Sequence, residues 1–134
     1  MVASTVISVL SRVLSETVLT KPIIRPALPT DVKAIKTIAT AAYTIYVARI
    51  GRKPAPMIAD FDRHVADDEV FILEDALKVV GYIVTFKKDG GQFIENVAVR
   101  SDLQGSGYGW RLLKFVEDLA RQRNLPRTFL YTNA

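Results

Sequence analysis

Cysteine is absent from all 134 residues, which excludes disulfides, thiolate metal sites and a cysteine nucleophile. Histidine occurs once, at His64, so a histidine-rich metal site is excluded too. No stretch approaches the roughly 18 apolar residues that span a bilayer. No run of basic residues is interleaved with aromatics, so the formal charge of +4 fits an anionic small ligand as well as it fits nucleic acid. The absence of cysteine fits a cytoplasmic protein.

Hydrophobic residues make up 49% of the chain and charged residues 24%, the balance of one globular domain. The basic excess lies in the first half: residues 1–67 carry nine Lys/Arg against five Asp/Glu, and residues 68–134 carry nine of each. The first 20 residues are rich in Ser, Thr and Val, and Arg12 interrupts what would be the apolar run of a secretory signal. Val6, Val9, Leu10, Val13 and Leu14 recur at helical spacing. The segment reads either as an amphipathic helix or as a loose tail, ahead of a domain expected over residues 21–134.

Ile23 and Ile24 predict a short strand stopped by Pro26 and Pro29. Thr30 is placed as the N-cap of a helix reaching about Arg49, with Ile35, Ile38, Ala39, Ala42 and Tyr46 on one face. A short helix is expected over about Met57 to Val65. Glu69 to Glu74, Lys78 to Lys88 and Phe93 to Arg100 predict three strands in an antiparallel meander, and Gly81 marks a bulge or a close backbone approach. An amphipathic helix follows from about Tyr108 to Arg123, carrying Leu112, Leu113, Val116, Leu119 and Ala120 inward. Thr128 to Thr132 predicts a last strand, parallel to the third because a strand–helix–strand crossover is right-handed. The expected fold is α/β, a mixed sheet with helices on its faces.

The strongest local signal is Glu95-Asn96-Val97-Ala98-Val99, then Gln104-Gly105-Ser106-Gly107-Tyr108-Gly109, then the amphipathic helix. A helix leaves its first N–H groups unpaired and carries partial positive charge there, so it suits a polyphosphate. Gly105, Gly107 and Gly109 leave room for the approach. A Walker A loop would end in Gly-Lys-Ser/Thr, and a dinucleotide fingerprint would place a third glycine where Trp110 stands. The plain alternative is a tight turn that needs glycine for its own geometry.

At these residues the chain resembles the GCN5-related N-acetyltransferase (GNAT) superfamily. Gln104, Gly107 and Gly109 match its Q/R-x-x-G-x-G/A signature, and Val97-Ala98-Val99 matches the strand that pairs with the pantetheine arm of its donor. The resemblance implies transfer of an acetyl group from acetyl-CoA to an amine by direct attack in a ternary complex, without a metal. It implies that Val97, Ala98, Val99 and Gln104 to Gly109, with Ser106 and Tyr108 among them, hold the donor. It also implies that Glu95 is the base. The alternation of residues puts Glu95 on the face of Val97 and Val99, with Asn96 facing the other way. Tyr43, Tyr46, Arg49 and Met57 fall where the family builds its acceptor pocket. His64 reads as a surface or packing residue, Trp110 as a packing residue, and Arg111 and Lys114 as a solvated helix face.

Relatives continue past the last strand with a helix, bearing an Asn that touches CoA and a Tyr that acts as general acid, and with two more strands. The resemblance therefore implies a C-terminally truncated domain without its usual proton donor, with Tyr131 as the nearest tyrosine. It also implies an apolar strand edge that a homo-oligomer would cover, through that edge or through the N-terminal segment of its own subunit or a neighbour's. Three functions compete: a working N-acetyltransferase, a CoA- or acyl-CoA-binding module without turnover, and a degenerate domain with a purely structural or assembly role, against which the intact glycine loop argues.

Overall fold

The computed structural model describes residues 21–50 and 60–131, with the side chains of 45–50 outside that description. The readings made for residues 1–20, Met57 and Thr132 lie outside the described residues.

Strands β1 (Ile23–Pro26), β2 (Val70–Asp75), β3 (Lys78–Lys88), β4 (Gly91–Val99) and β5 (Thr128–Phe129) form one sheet in that order. The first four are antiparallel, and β5 runs parallel to β4. Helix α1 (Val32–Ile50) and the short α2 (Phe61–Ala66) pack on one face, and α3 (Tyr108–Gln122) packs on the other. Each face has its own core. Ile35, Ile38 and Ala39 of α1 and Phe61 and Val65 of α2 meet Ile72, Tyr82, Val84 and Ala98. Leu112 and Val116 of α3 meet Leu73, Val80, Ile83, Ile94 and Val99. Burying such side chains is the main favourable term in holding these layers together.

Thr30 does not cap α1. Pro29–Asp31 forms a 3₁₀ turn, in which the Leu28 amide donates to Asp31 Oδ2 at 2.7 Å. Proline at the first position presets a helical φ, so the turn begins one residue early. Asp31 also takes a 2.8 Å ion pair from Arg25, which reaches Glu74 as well at 3.2 Å. The Arg25 guanidinium holds the Asp31 carboxyl below its usual range. The cluster ties β1, β2 and the start of α1 together.

Both readings of Gly81 hold. The β2–β3 register slips between Leu73 and Glu74, beside it, and a Cβ at 81 would stand 3.1 Å from the Ala98 carbonyl and 3.2 Å from Leu112. The last strand is shorter than expected, because β5 pairs with β4 only at Gln92–Thr128 and Phe93–Phe129.

β2 and β3 are joined by Ala76 and Leu77, both at positive φ (51° and 65°). A two-residue hairpin of this kind favours Asn-Gly, and side chains beyond Cβ are strained in the left-handed region. The double substitution Ala76→Asn, Leu77→Gly is expected to stabilise the fold by about 1 kcal/mol, seen as a higher urea midpoint at constant slope.

Candidate active site

The site begins with one extra residue in β4. Val84 pairs with Asn96 but Thr85 pairs with Ile94, so Glu95 is a bulge. The hydrogen bonds record the slip. The Gln92 amide donates outward to Arg127 of the β5 segment at 2.9 Å, whereas the Arg100 amide, an even number of residues on, donates inward to Val80 at 2.8 Å. In a regular strand both would point to the same side.

The bulge corrects the expected face of Glu95. Val97 and Val99 pack toward α3, while Asn96 and Ala98 lie on the α1 side. Glu95 does not share the face of Val97 and Val99, because its carboxylate Oε2 lies 3.2 Å from Nε2 of His64 on α2. Alternation predicts a face only where no residue is inserted. The Glu95 side chain remains 40% exposed.

The same phase points the amides of Val97 and Val99 toward the outer edge of β4, since Arg100 donates inward and successive amides alternate. β5 pairs only with the far end of β4, so among the described residues no strand partner meets them. At the end of this edge, Gln104 Nε2 donates to the Val99 carbonyl at 3.0 Å and Ser106 Oγ donates to the Leu103 carbonyl at 2.6 Å. These bonds set the loop that enters α3.

Gly105 and Gly107 adopt φ of +84° and +87°, where a side chain would be strained, and a Cβ at either would meet nothing within 4 Å. The first amide bond into α3 runs from Arg111 to the Gly107 carbonyl, and no side chain caps the helix. The amides of Tyr108, Gly109 and Trp110 therefore lack intrahelical partners. A hollow of about 260 Å³ lies against Val99, Leu103, Gln104, Gly105 and Gly107 to Trp110. Bare donors, a helix N-terminus and open space suit a phosphate-sized anion. The Tyr108 hydroxyl donates to Asp75, which raises its pKa and ties the loop to the β2–β3 turn.

On the opposite face, Asn96 Oδ1 accepts from Tyr43 at 2.5 Å and from Tyr82 at 3.1 Å, while its buried Nδ2 has no partner among the described residues. Burial pushes the Tyr43 phenol up to about 12 and raises that of Tyr82 as well. Tyr46 and Arg49 lie on α1 with side chains outside the description. The expectations for Trp110, as a packing residue, and His64, as a surface or packing residue, need correction. Trp110 is 68% exposed, because it sits on the outer side of the first turn of α3. His64 is buried but engages two carboxylates, Glu69 at 2.9 Å and Glu95. Sequence reasoning missed Asn96, Tyr82 and this role of His64. A lone histidine between Phe61 and Val65 in a short, partly charged helix was the available signal, and it does not name its partners.

Residues 33–134 match the model of the acetyltransferase (GNAT) family. The chain belongs to that family. Among curated proteins, none matches it. Solved GNAT-type structures share its fold. Ard1 from Thermoplasma volcanium is 24% identical and superposes with a TM-score of 0.64 over 81% of this chain and 70% of that one. The PaiA N-acetyltransferase of Thermoplasma acidophilum, in complex with coenzyme A, is 11% identical with a TM-score of 0.72 over 84% and 79%. N-acetylglutamate synthase from Neisseria gonorrhoeae, complexed with coenzyme A and N-acetyl-glutamate, is 23% identical with a TM-score of 0.63; the match covers 82% of this chain and 25% of the synthase. At these identities the likeness is one of fold. Among the described residues of this GNAT chain, no helix is long and apolar enough to cross a membrane.

The tyrosine pair makes a pH prediction. Tyr43 ionises near 10 when unfolded and near 12 when folded, so the native state holds its proton longer. Its contribution is intact below pH 10 and is lost as pH rises toward 12, by about 2–3 kcal/mol in all. Urea titrations at pH 9 and pH 11 are expected to show this loss, and Tyr43→Phe to reduce it.

Proposed function

We propose that this GNAT chain transfers an acetyl group from acetyl-CoA to a primary amine by direct attack in a ternary complex. The observation that carries the reading is the row of bare amides at the start of α3, opening onto a hollow that no side chain fills. Family membership makes coenzyme A the natural anion for it, and two relatives of the same fold are complexed with coenzyme A.

In this reading the amides of the Gln104 to Gly109 loop and the first turn of α3 take the diphosphate. Val97, Ala98 and Val99 form the edge along which the pantetheine arm lies, with the outward amides of Val97 and Val99 available to it. The donor supplies an activated thioester carbonyl, and an N–H at Val97 stabilises charge that develops on its oxygen. Glu95 takes the proton of the incoming ammonium, directly or through water, with Oε1, the oxygen that does not face His64. Tyr43 faces the acceptor on the α1 side, where Glu95 also points; Tyr46, Arg49 and Met57 are assigned to the acceptor pocket by family likeness alone. A homo-oligomer formed over the β5 edge, where Leu130 and Tyr131 are exposed, remains part of the proposal.

Acetyl-CoA at 100 times its Kd is expected to stabilise the protein by about 2.7 kcal/mol and raise its Tm, and Gly107→Val to remove that shift. An amine panel with acetyl-CoA should release free thiol. A Tm shift without thiol release from any amine would leave a CoA-binding module. No shift at millimolar acetyl-CoA would end both readings. Glu95→Gln is expected to lower kcat by about 100-fold or more while leaving the Tm shift intact.

A further inference from the structure

His64 is the only histidine of the chain, and it lies 3% exposed on a six-residue helix turn. Its ring is fixed on every side. Nδ1 meets Glu69 Oε1 at 2.9 Å, and the ring stacks on Phe86 with centroids 6.1 Å apart and planes 10° apart. Its amide donates to the Asp60 carbonyl at 3.1 Å, and its carbonyl accepts from the Glu69 amide at 2.9 Å. Glu69 is anchored in turn, its carbonyl accepting from the Thr85 amide at 2.8 Å. Thr85 is the residue at which the β3–β4 register slips, so the scaffold of the ring and the bulge of Glu95 share one attachment point.

The remaining nitrogen, Nε2, faces Glu95 Oε2 at 3.2 Å. We propose that His64, oriented by Glu69, is a positioning residue that pins one carboxylate oxygen of Glu95 and turns the other toward the acceptor amine. This rests on the reading of Glu95 as the base.

The chemistry of the trio supports a fixed orientation. A neutral imidazole donates from one nitrogen only, so it satisfies both carboxyl groups only if one of them keeps a proton; an imidazolium donates to both. Either way the ring bridges the two carboxyl groups. Glu69 and Glu95 are the charged groups that face the ring nitrogens, from the start of β2 and from β4, and Phe86 of β3 covers its plane. The two carboxylates lie at opposite nitrogens, so they do not converge on one metal-binding point, and no metal-ligating cluster occurs among the described residues. A base held in one orientation spares the reaction the cost of ordering it, and a displacement of about 1 Å costs on the order of 100-fold in rate.

The single histidine makes the contact measurable without an acceptor. In full-length protein labelled with ¹⁵N-histidine, Glu95→Gln is expected to shift the Nε2 resonance and Glu69→Gln the Nδ1 resonance. An Nε2 signal unmoved by Glu95→Gln overturns the proposal. With an amine that gives turnover, His64→Gln and Glu69→Gln are each expected to lower kcat about tenfold, with KM for acetyl-CoA unchanged and the acid limb of the kcat–pH profile displaced. His64→Gln combined with Glu95→Gln should be no slower than Glu95→Gln alone, because the histidine acts only through the glutamate. Slowing that multiplies in the double variant overturns the proposal, as does a normal rate in both single variants. Glu69 is partly exposed, so its variant carries the test if His64→Gln does not fold. An unchanged rate in Glu95→Gln overturns the base reading, and this inference with it; a slowed Glu95→Gln beside normal His64→Gln and Glu69→Gln overturns this inference alone.

Discussion

One inserted residue in β4 governs the geometry of the site. The bulge at Glu95 reverses the phase of the strand between Gln92, whose amide reaches the β5 segment, and Arg100, whose amide reaches β3. Without it, the amides of Val97 and Val99 would turn inward to β3. Val97 and Val99 would turn to the α1 face, and Asn96 to the α3 face, away from Tyr43 and Tyr82. With it, a strand that begins paired to β5 ends with an edge its neighbour does not use. The carboxylate stands on the α1 and α2 side, beside that edge. A bulge costs a ladder hydrogen bond and gains a re-aimed side chain.

The glycine-loop end of the site obeys simpler physics. A helix of 15 residues must begin somewhere, and its first amides are left over. In most helices a side chain caps them. Here Gly107 stands at the cap with φ of +87° and no side chain to offer, while Gln104 and Ser106 spend their polar groups on the carbonyls of Val99 and Leu103. Those bonds shape the loop and leave the helix donors facing the hollow. Tyr108 adds a tether to Asp75, so the turn between β2 and β3 helps to hold the loop.

The α1 face is organised around Asn96. Two tyrosine hydroxyls, a half-buried one from α1 and a buried one from β3, converge on its carbonyl oxygen. Hydrophobic packing surrounds them, and that burial is what raises both phenols. Asn96 and Glu95 are neighbours in sequence and lie on the same side of the sheet, which only a bulge allows. The polar hub of Asn96 and the His64 bridge therefore stand side by side on the face that α1 and α2 cover.

Much of the architecture was legible in the sequence. β3 was bounded by Lys78 and Lys88, and the Asp89-Gly90 turn, the stripe of α3 and the glycine loop each depend on contacts a few residues apart. Local chemistry decides such features: proline and glycine limit φ, and alternation or helical spacing chooses a face. The uncapped start of α3 was determined in that way, because a helix N-terminus needs no distant partner. The bulge, the face of Glu95, the exposure of Trp110 and the partners of His64 were decided by tertiary structure alone. Residues 64, 69 and 95 meet only because α2 is laid across the sheet at the point where β3 and β4 slip register. An inserted residue leaves no mark in composition or periodicity until its partner strand is in place to reveal it.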